Sequence, residues 1–385
     1  MERDELVRLY FDLGFSQKEI LYYLAAKHRI IVSERHLRRI LKSLSLYRRK
    51  HSDIVDVAVY IMEKLHTSSQ LHGYRWMHSH CVAHGLRVSK NDVRLLLRIL
   101  DPNAVNQRRR RRLQRRRYRG VGPNFTWHID SYDKLKPYGI CINGCIDGFS
   151  RKMIWLEAYH TSSNPHLIAG YFMKAVLNEA GCPRRVRADR GTENGIVKDL
   201  QTFLRRNHQD SLADQRSFVY GKSIANQRIE AWWSILRKEC VQFWINTFSD
   251  LKENDQFSGD FLDKNLIQFC FMTLIQGELN DVAHTWDCHP LQRHRNMVEP
   301  SGKPIIMYTS PELYNTDNKL VLVDALEVEV CIQQCVFKDG QTCSDATVFQ
   351  LCCDLMVEHD LDVPHNPQEA IILYNTLRDA IYREL

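Results

Sequence analysis

The chain has 385 residues, 44% of them hydrophobic and 26% charged, with a formal net charge of +7. That apolar share is ample for packed cores and excludes an intrinsically disordered protein. The charged opening MERDELVRLY shows no secretory leader, no apolar run approaches the ~18 residues of a membrane span, and the 12 cysteines include no C-x-x-C pair, so reduced intracellular thiols and no membrane partner are expected.

Charge is spread unevenly. Residues 1–120 hold 27 basic against 11 acidic side chains, residues 121–300 hold 21 of each, and residues 301–385 hold 5 against 14. A basic head, a neutral middle and an acidic tail predict separate modules, of which the head should meet a polyanion. The expected boundaries are 1–50 and 51–106 for two helical units, 107–120 for an arginine-rich linker, 121–315 for a central domain and 316–385 for an acidic helical domain.

In chain order, Leu6, Val7, Tyr10 and Leu13 recur at helical spacing until Gly14 breaks the run. Ser16 and Glu19 form a capping box that opens a second helix, and Ser33 is placed to cap a third, SERHLRRILKSL. That third helix puts Leu37, Ile40, Leu41 and Leu44 on one face and Arg35, Arg38, Arg39 and Lys42 on another. Three short helices with a basic third one fit a helix-turn-helix-like unit in a DNA groove. An ordinary three-helix bundle with a solvated basic face would show the same pattern.

Residues 53–100 partly repeat the plan, since LRVSKNDVRLLLRIL echoes IIVSERHLRRILKSL. Ser89 and Asp92 mark a second capping-box start, with Lys90, Arg94 and Arg98 as the basic residues. His72, His78, His80, Cys81 and His84 cluster here, but without the downstream C-x-x-C of a zinc site they read as packed or surface side chains. Nine arginines follow between Arg108 and Arg119. Like charges so dense resist compact folding, so a linker is expected, available for phosphate contact or nuclear import.

The middle begins with strand-like runs NFTWHIDSYD, GICINGCID and RKMIWLEAYH, the last two joined by an Asp147-Gly148-Phe149-Ser150 turn that predicts an antiparallel meander. Asp130 is expected to close the first strand, where a carboxylate faces solvent or a site rather than a core. After a helix near residues 166–181, Arg185 to Ala188 predicts a short strand ended by Asp189. Then SFVYGKSIANQRIEAWW predicts a strand, a glycine loop with Lys222 and a helix bearing Glu230, with Arg237 and Lys238 two turns on. An acid so near a helix start could simply complement the helix dipole. Asp133, Asp147, Glu157 and Glu193 are rival acids; Asp147 is expected to shape its turn, and Glu193 is the strongest rival ligand.

Acid after a strand, acid after a later strand and glutamate on the next helix is a pattern with a resemblance. W-H-I-D at Trp127 to Asp130, I-D-G-F-S-R at Ile146 to Arg151, A-D-R-G at Ala188 to Gly191 and N-Q-R-I-E at Asn226 to Glu230 resemble the integrase core of retroviral integrases and DDE transposases. The spacings are 58 residues between Asp130 and Asp189 and 40 between Asp189 and Glu230. The repeated helical head resembles that of insertion-sequence transposases, and the chain over roughly residues 1–315 is similar to integrase-core-domain proteins of animal genomes.

The resemblance implies an α/β RNase H-like core, a mixed sheet flanked by helices, behind all-α tandem helix-turn-helix-like units and ahead of a small α-rich tail. It implies a DNA recombinase whose Asp130, Asp189 and Glu230 hold Mg²⁺ or Mn²⁺, two ions, with Asp130 contacting both, Asp189 one and Glu230 the other. Arg237, Lys238 and Lys222 would hold DNA phosphates; ordinary solvated charge is the alternative for each. The expected partner is double-stranded DNA, engaged by a homo-oligomer in the nucleus, with no small-molecule substrate. Two rivals stand: a DNA-binding or assembly protein that retains the fold without cutting, and an RNase H-class nuclease. The basic tandem head, suited to duplex DNA, argues against the second.

The acidic tail ends in a helix opened by Asn366, Pro367 and Glu369, with Leu373, Leu377, Ile381 and Leu385 recurring every four residues.

Overall fold

In the computed structural model, which describes residues 2–47, 51–67, 69, 72–102, 120–221, 226–292, 300–338 and 343–384, the chain divides into two units, Met1–Gln114 and Arg115–Leu385. The arginine run Arg108–Arg119 and Lys222 lie outside the described residues.

The first unit holds α1 (Arg3–Asp12), α2 (Gln17–His28), α3 (Glu34–Ser43), α4 (Ile54–Leu65), α5 (Tyr74–Ala83) and α6 (Lys90–Leu100). The capping box at Ser16 is closed in both directions, Glu19 N–H to Ser16 Oγ and Ser16 N–H to the Glu19 carboxylate. At Ser89 only half of the expected box forms. Asp92 N–H donates to Ser89 Oγ at 3.1 Å, while the Asp92 carboxylate, one methylene shorter than glutamate, takes the Ser89 hydroxyl at 2.7 Å instead of the backbone N–H. Leu37, Ile40 and Leu41 bury the inner side of α3. Val57, Ile61, Met77, Cys81, Val93 and Leu97 make a separate core for α4–α6. The histidines are packed or on the surface, as the plainer reading expects: His72 stacks on His80 at 4.9 Å, His78 Nε2 meets Val88 O at 3.1 Å, and His84 is exposed.

The second unit is built on β1 (Thr126–Tyr132), β2 (Cys141–Asp147), β3 (Met153–Tyr159), β4 (Arg185–Asp189) and β5 (Phe218–Gly221), in the order β3-β2-β1-β4-β5. β1–β3 form the expected antiparallel meander, and β4 and β5 add in parallel. The helices are α7 (Pro165–Glu179), α8 (Gly195–Arg205), α9 (Gln227–Leu236), α10 (Gln242–Glu253), α11 (Phe261–Cys288), α12 (Pro304–Thr309), α13 (Ala325–Ile332), α14 (Ala346–Glu358) and α15 (Pro367–Glu384). α7 and α8 bury one face of the sheet through Trp127, Ile129, Val186, Ala188, Phe172, Val176, Val197 and Leu200. α9 packs on β1 and β2, and α11 on β3. A mixed sheet of this order, flanked by helices, is the RNase H-like arrangement. No described helix is long and apolar enough to cross a membrane.

The acidic tail does not stand apart from the core in this unit. Val321 and Cys182 exchange backbone hydrogen bonds at 2.9 Å in both directions. Val328 and Cys331 on α13 belong to the same buried cluster as the sheet. Lys338 Nζ reaches Glu157 Oε2 at 3.0 Å, and α15 lies along α11, with Arg378 Nε 2.8 Å from Asp263 Oδ1. Leu373, Leu377 and Ile381 form the buried stripe of α15.

Candidate active site

Strand parity selects the face that carries the chemistry. Successive side chains in a strand point to opposite faces. Trp127 and Ile129 of β1 enter the core under α7, so His128 and Asp130 face the other way, toward α9. On β4, Val186 and Ala188 enter the same core, which turns Arg187 and Asp189 to the face of His128 and Asp130. β1 and β4 are parallel with His128 opposite Arg187. The same register carried two residues further sets Asp130 level with Asp189.

Asp189 ends β4 as the sequence predicts, but Asp130 does not close its strand. β1 runs two residues further, to Tyr132, because those residues continue the ladder with β2 through Ser131–Asn143 and Tyr132–Ile142. Asp130 is therefore half-buried inside the sheet. Its Oδ2 accepts the indole N–H of Trp233 at 2.8 Å.

Glu230 lies in the first turn of α9. The residue before that helix, Asn226, does not cap it with its side chain. Its Nδ2 donates to Ile129 O at 2.9 Å and its Oδ1 pairs with His128 Nδ1 at 2.8 Å. Arg228 Nε donates to Gly148 O at 2.9 Å. These bonds tie the start of α9 to β1 and to the β2–β3 turn, which brings Glu230 to the Asp130 face.

The electrostatics follow from burial. Desolvation pushes the Asp130 carboxyl up to about 7, with Glu230 and Asp189 adding to the rise and Trp233 opposing it. Asp189 is raised by burial and then by Glu193, and Glu230 by burial and then by Asp189. Mutual repulsion is the smaller cause throughout. Burial also drives His128 down to about 3, so it is neutral. With Asn226 Nδ2 committed to a carbonyl, His128 Nδ1 carries the proton and donates.

Of the rival acids, all but Glu193, which stands close enough to Asp189 to raise it, are otherwise employed. Asp147 accepts from the Asn124, Phe149 and Ser150 N–H groups and the Ser150 hydroxyl, so it shapes its turn as expected. Asp133 is held by Ser162 and Lys136, and Glu157 by Lys338 and Lys174. Glu193 folds onto Gly191, where an added Cβ would collide with its carboxylate, and it takes Asn194 Nδ2 at 3.0 Å. Among the described residues, Asp130, Asp189 and Glu230 form no ion pair. Asp189 Oδ1 is moreover buried with no hydrogen-bond partner among the described residues.

A buried carboxylate oxygen lacking a donor, beside two further carboxylates, is the donor chemistry that suits a hard divalent cation. No group of three or more such side chains among the described residues already stands at metal-holding distance.

Arg237 and Lys238 are exposed and follow α9 directly, in a π-helical turn (Arg237–Val241) that no sequence pattern predicts. Such a turn inserts a residue into the helical ladder and often marks a functional site. Arg237 Nε bonds Gln242 Oε1 at 3.0 Å and Lys238 Nζ bonds Glu239 Oε1 at 2.6 Å. In the first unit, Arg35, Arg39, Lys42, Lys90, Arg94 and Arg98 are exposed. Arg38 is exposed too, but paired with Glu34 at 2.5 Å and bonded to Gln17 at 3.3 Å. The structure thus brings Asp130, Asp189 and Glu230 to one face of the sheet and sets the head's basic residues on the surface of their own unit.

Sequence reasoning missed His128, Asn226 and Trp233 as supporting residues. All three lie inside or beside the W-H-I-D and N-Q-R-I-E motifs, so the signal was present without the pairing that gives it meaning. Comparison with known families matches residues 117–318, 202 of the 385 residues, to the integrase core domain. No curated protein matches the chain.

Proposed function

This chain belongs to the integrase core domain family, whose retroviral integrase- and transposase-like members suggest polynucleotidyl transfer on DNA, and from that premise we propose a DDE-type recombinase: a transposase, or a protein descended from one, that cleaves and joins DNA strands. Asp130, Asp189 and Glu230 are its proposed active carboxylates. The observation that carries the reading is that these three, from β1, β4 and α9, share one face without an ion pair among the described residues, while Asp133, Asp147 and Glu157 are each engaged elsewhere.

Integrase core domains generally use divalent metals. Here Asp130, Asp189 and Glu230 would hold Mg²⁺ or Mn²⁺. Such ions, once bound, activate the attacking oxygen and stabilise the leaving one in an in-line displacement at phosphorus. The chain's own share is to fix the acids on rigid elements: two on neighbouring parallel strands, one on a helix tied to β1 by Asn226 and to the β2–β3 turn by Arg228. Arg237 and Lys238, exposed two turns after Glu230, would bind phosphates. The exposed cations of α3 and α6 would hold duplex DNA, and the arginine run would add phosphate contacts or nuclear import. Joining two DNA ends calls for a homo-oligomer.

A second reading keeps the fold and the DNA binding but not the cutting. Its support is that no group of three or more His, Cys, Asp or Glu side chains among the described residues is arranged to hold a metal ion. A Mg²⁺- or Mn²⁺-dependent strand-transfer assay on the cognate element's ends separates the two. Wild-type activity lost in Glu230→Gln supports the recombinase. Metal-dependent activity that survives the substitution removes Glu230 from the site, and an inactive wild type favours the silent protein.

A further inference from the structure

The helix that carries Glu230 also touches Asp130. Trp233, three residues after Glu230, lies on the same side of α9. Its ring is buried between Tyr132, at 5.2 Å between centroids, and Trp232, at 5.6 Å. Its Nε1–H donates to Asp130 Oδ2 at 2.8 Å. The sheet has a gap for this ring. Gly144 is the β2 partner of Asp130 in the ladder, so a side chain there would rise on the same face. A Cβ built on Gly144 would stand 2.8 Å from Trp233 Cη2 and 3.2 Å from Leu156 Cδ1.

We propose that Trp233 is a positioning residue that aims the Asp130 carboxylate, and that Gly144 is required at its position because the indole covers it; this rests on the metal-dependent reading of Asp130, Asp189 and Glu230 given above. The terminal torsion of an aspartate is broad and two-fold, so a carboxylate with no partner samples many planes. The indole donor on Oδ2, with the Ser131 N–H as a lesser second partner of the carboxylate, selects a plane, leaves lone pairs for a cation, and costs no charge. A lysine or arginine in the same place would cancel the charge a cation needs. The indole N–H is a donor that can be buried with its apolar ring and still orient the acid. One helix therefore supplies one carboxylate and orients a second, and a shift of α9 would disturb both together.

The test uses the full chain and Mn²⁺ titration followed by the electron paramagnetic resonance of free Mn²⁺, for wild type, Asp130→Asn, Trp233→Phe and Gly144→Ala. Outer partners of metal-holding carboxylates are typically worth about 10- to 100-fold in affinity. Trp233→Phe and Gly144→Ala should each weaken Mn²⁺ binding about tenfold and Asp130→Asn should abolish it. With ¹⁵N-tryptophan, the indole N–H signal missing from Trp233→Phe should broaden on Mn²⁺ addition to wild type, which places it near the ion, and should move upfield in Asp130→Asn as its bond to a carboxylate is lost, a shift that a merely space-filling ring would not show. Trp233→Phe binding within twofold of wild type, with Asp130→Asn unable to bind, overturns the positioning role and leaves the metal reading standing. Asp130→Asn that binds like wild type removes the metal reading itself. Should Trp233→Phe not fold, Gly144→Ala and the wild-type spectrum decide: wild-type affinity in the one and no Mn²⁺-responsive indole in the other overturn the proposal.

Discussion

Asn226 Oδ1 and His128 Nδ1 meet at 2.8 Å in the buried floor between α9 and β1. The asparagine that precedes a helix usually caps it. Here its side chain is spent on the neighbouring strand, taking His128 N–H and giving Nδ2 to Ile129 O at 2.9 Å. The helix start is thereby fastened to the strand that carries Asp130.

Asn226→Ala is expected to destabilise the second unit by about 2–4 kcal/mol, because the substitution takes away two buried hydrogen bonds and leaves their partner atoms desolvated. Urea denaturation measures the loss. The same variant should show a smaller Mg²⁺-induced rise in Tm, since Glu230 moves with the helix. A variant as stable as wild type would mean that the bonds do not hold α9 in place.

His128 sets an acid limit on stability. Its pKa is 6.5 in an exposed chain and about 3 in the fold. Above pH 6.5 the ring is neutral in both states and the fold bears no cost. As pH falls from 6.5 toward 3, the unfolded chain takes up a proton that the folded chain refuses. Stability therefore falls by up to about 1.4 kcal/mol per pH unit over that window. Unfolding free energies at several values between pH 4 and 6.5 should fall less steeply in His128→Gln; parallel slopes would refute the assignment.

Asp130 acts with the opposite sign. Its carboxyl is raised from 3.8 to about 7 in the fold. The folded state holds the proton more tightly, so the group's contribution is complete below pH 3.8 and drains away as pH rises through 7. Without metal, Asp130→Asn should stabilise the protein by on the order of 2 kcal/mol at pH 8 and by little near pH 4. Thermal melts at the two pH values check this. Mg²⁺ should raise the Tm of wild type at pH 8 and leave that of the variant unchanged.

Arg378→Ala should cost about 3 kcal/mol, because Asp263 is fully buried and Arg378 supplies its charge partner at 2.8 Å. Removing residues 316–385 altogether should leave a core that does not fold, since Val328 and Cys331 complete its main cluster. A soluble 1–315 fragment with a cooperative thermal transition would show the tail to be dispensable.

In the head, Arg39→Ala should weaken duplex DNA binding more than Arg38→Ala. Arg39 is exposed, whereas Arg38 is already half-neutralised by Glu34 at 2.5 Å. A substitution that frees one DNA phosphate should reduce the slope of log K against log salt by about 1. Binding isotherms at three salt concentrations distinguish the two variants. Equal weakening would mean that the Glu34 pair opens on DNA.

Local pattern carried a good part of this molecule. The caps at Ser16, Ser33 and Asn366, the turn at Asp147 and the strand ended by Asp189 all depend on residues within a few positions of one another, and periodicity and turn chemistry report such relations directly. The order acid, acid, glutamate was legible for the same reason, as was the inner stripe of α15. What pattern could not supply was which face each strand turns to α9, that Asp130 lies two residues inside its strand, that the acidic tail completes the core, or that Asn226, Trp233 and Gly144 serve the acids at all. Those depend on residues such as 128 and 226, or 144 and 233, meeting across some ninety positions of chain. Contacts of that kind are set by the register of the sheet and by close packing around it, and neither is encoded in any single stretch of sequence.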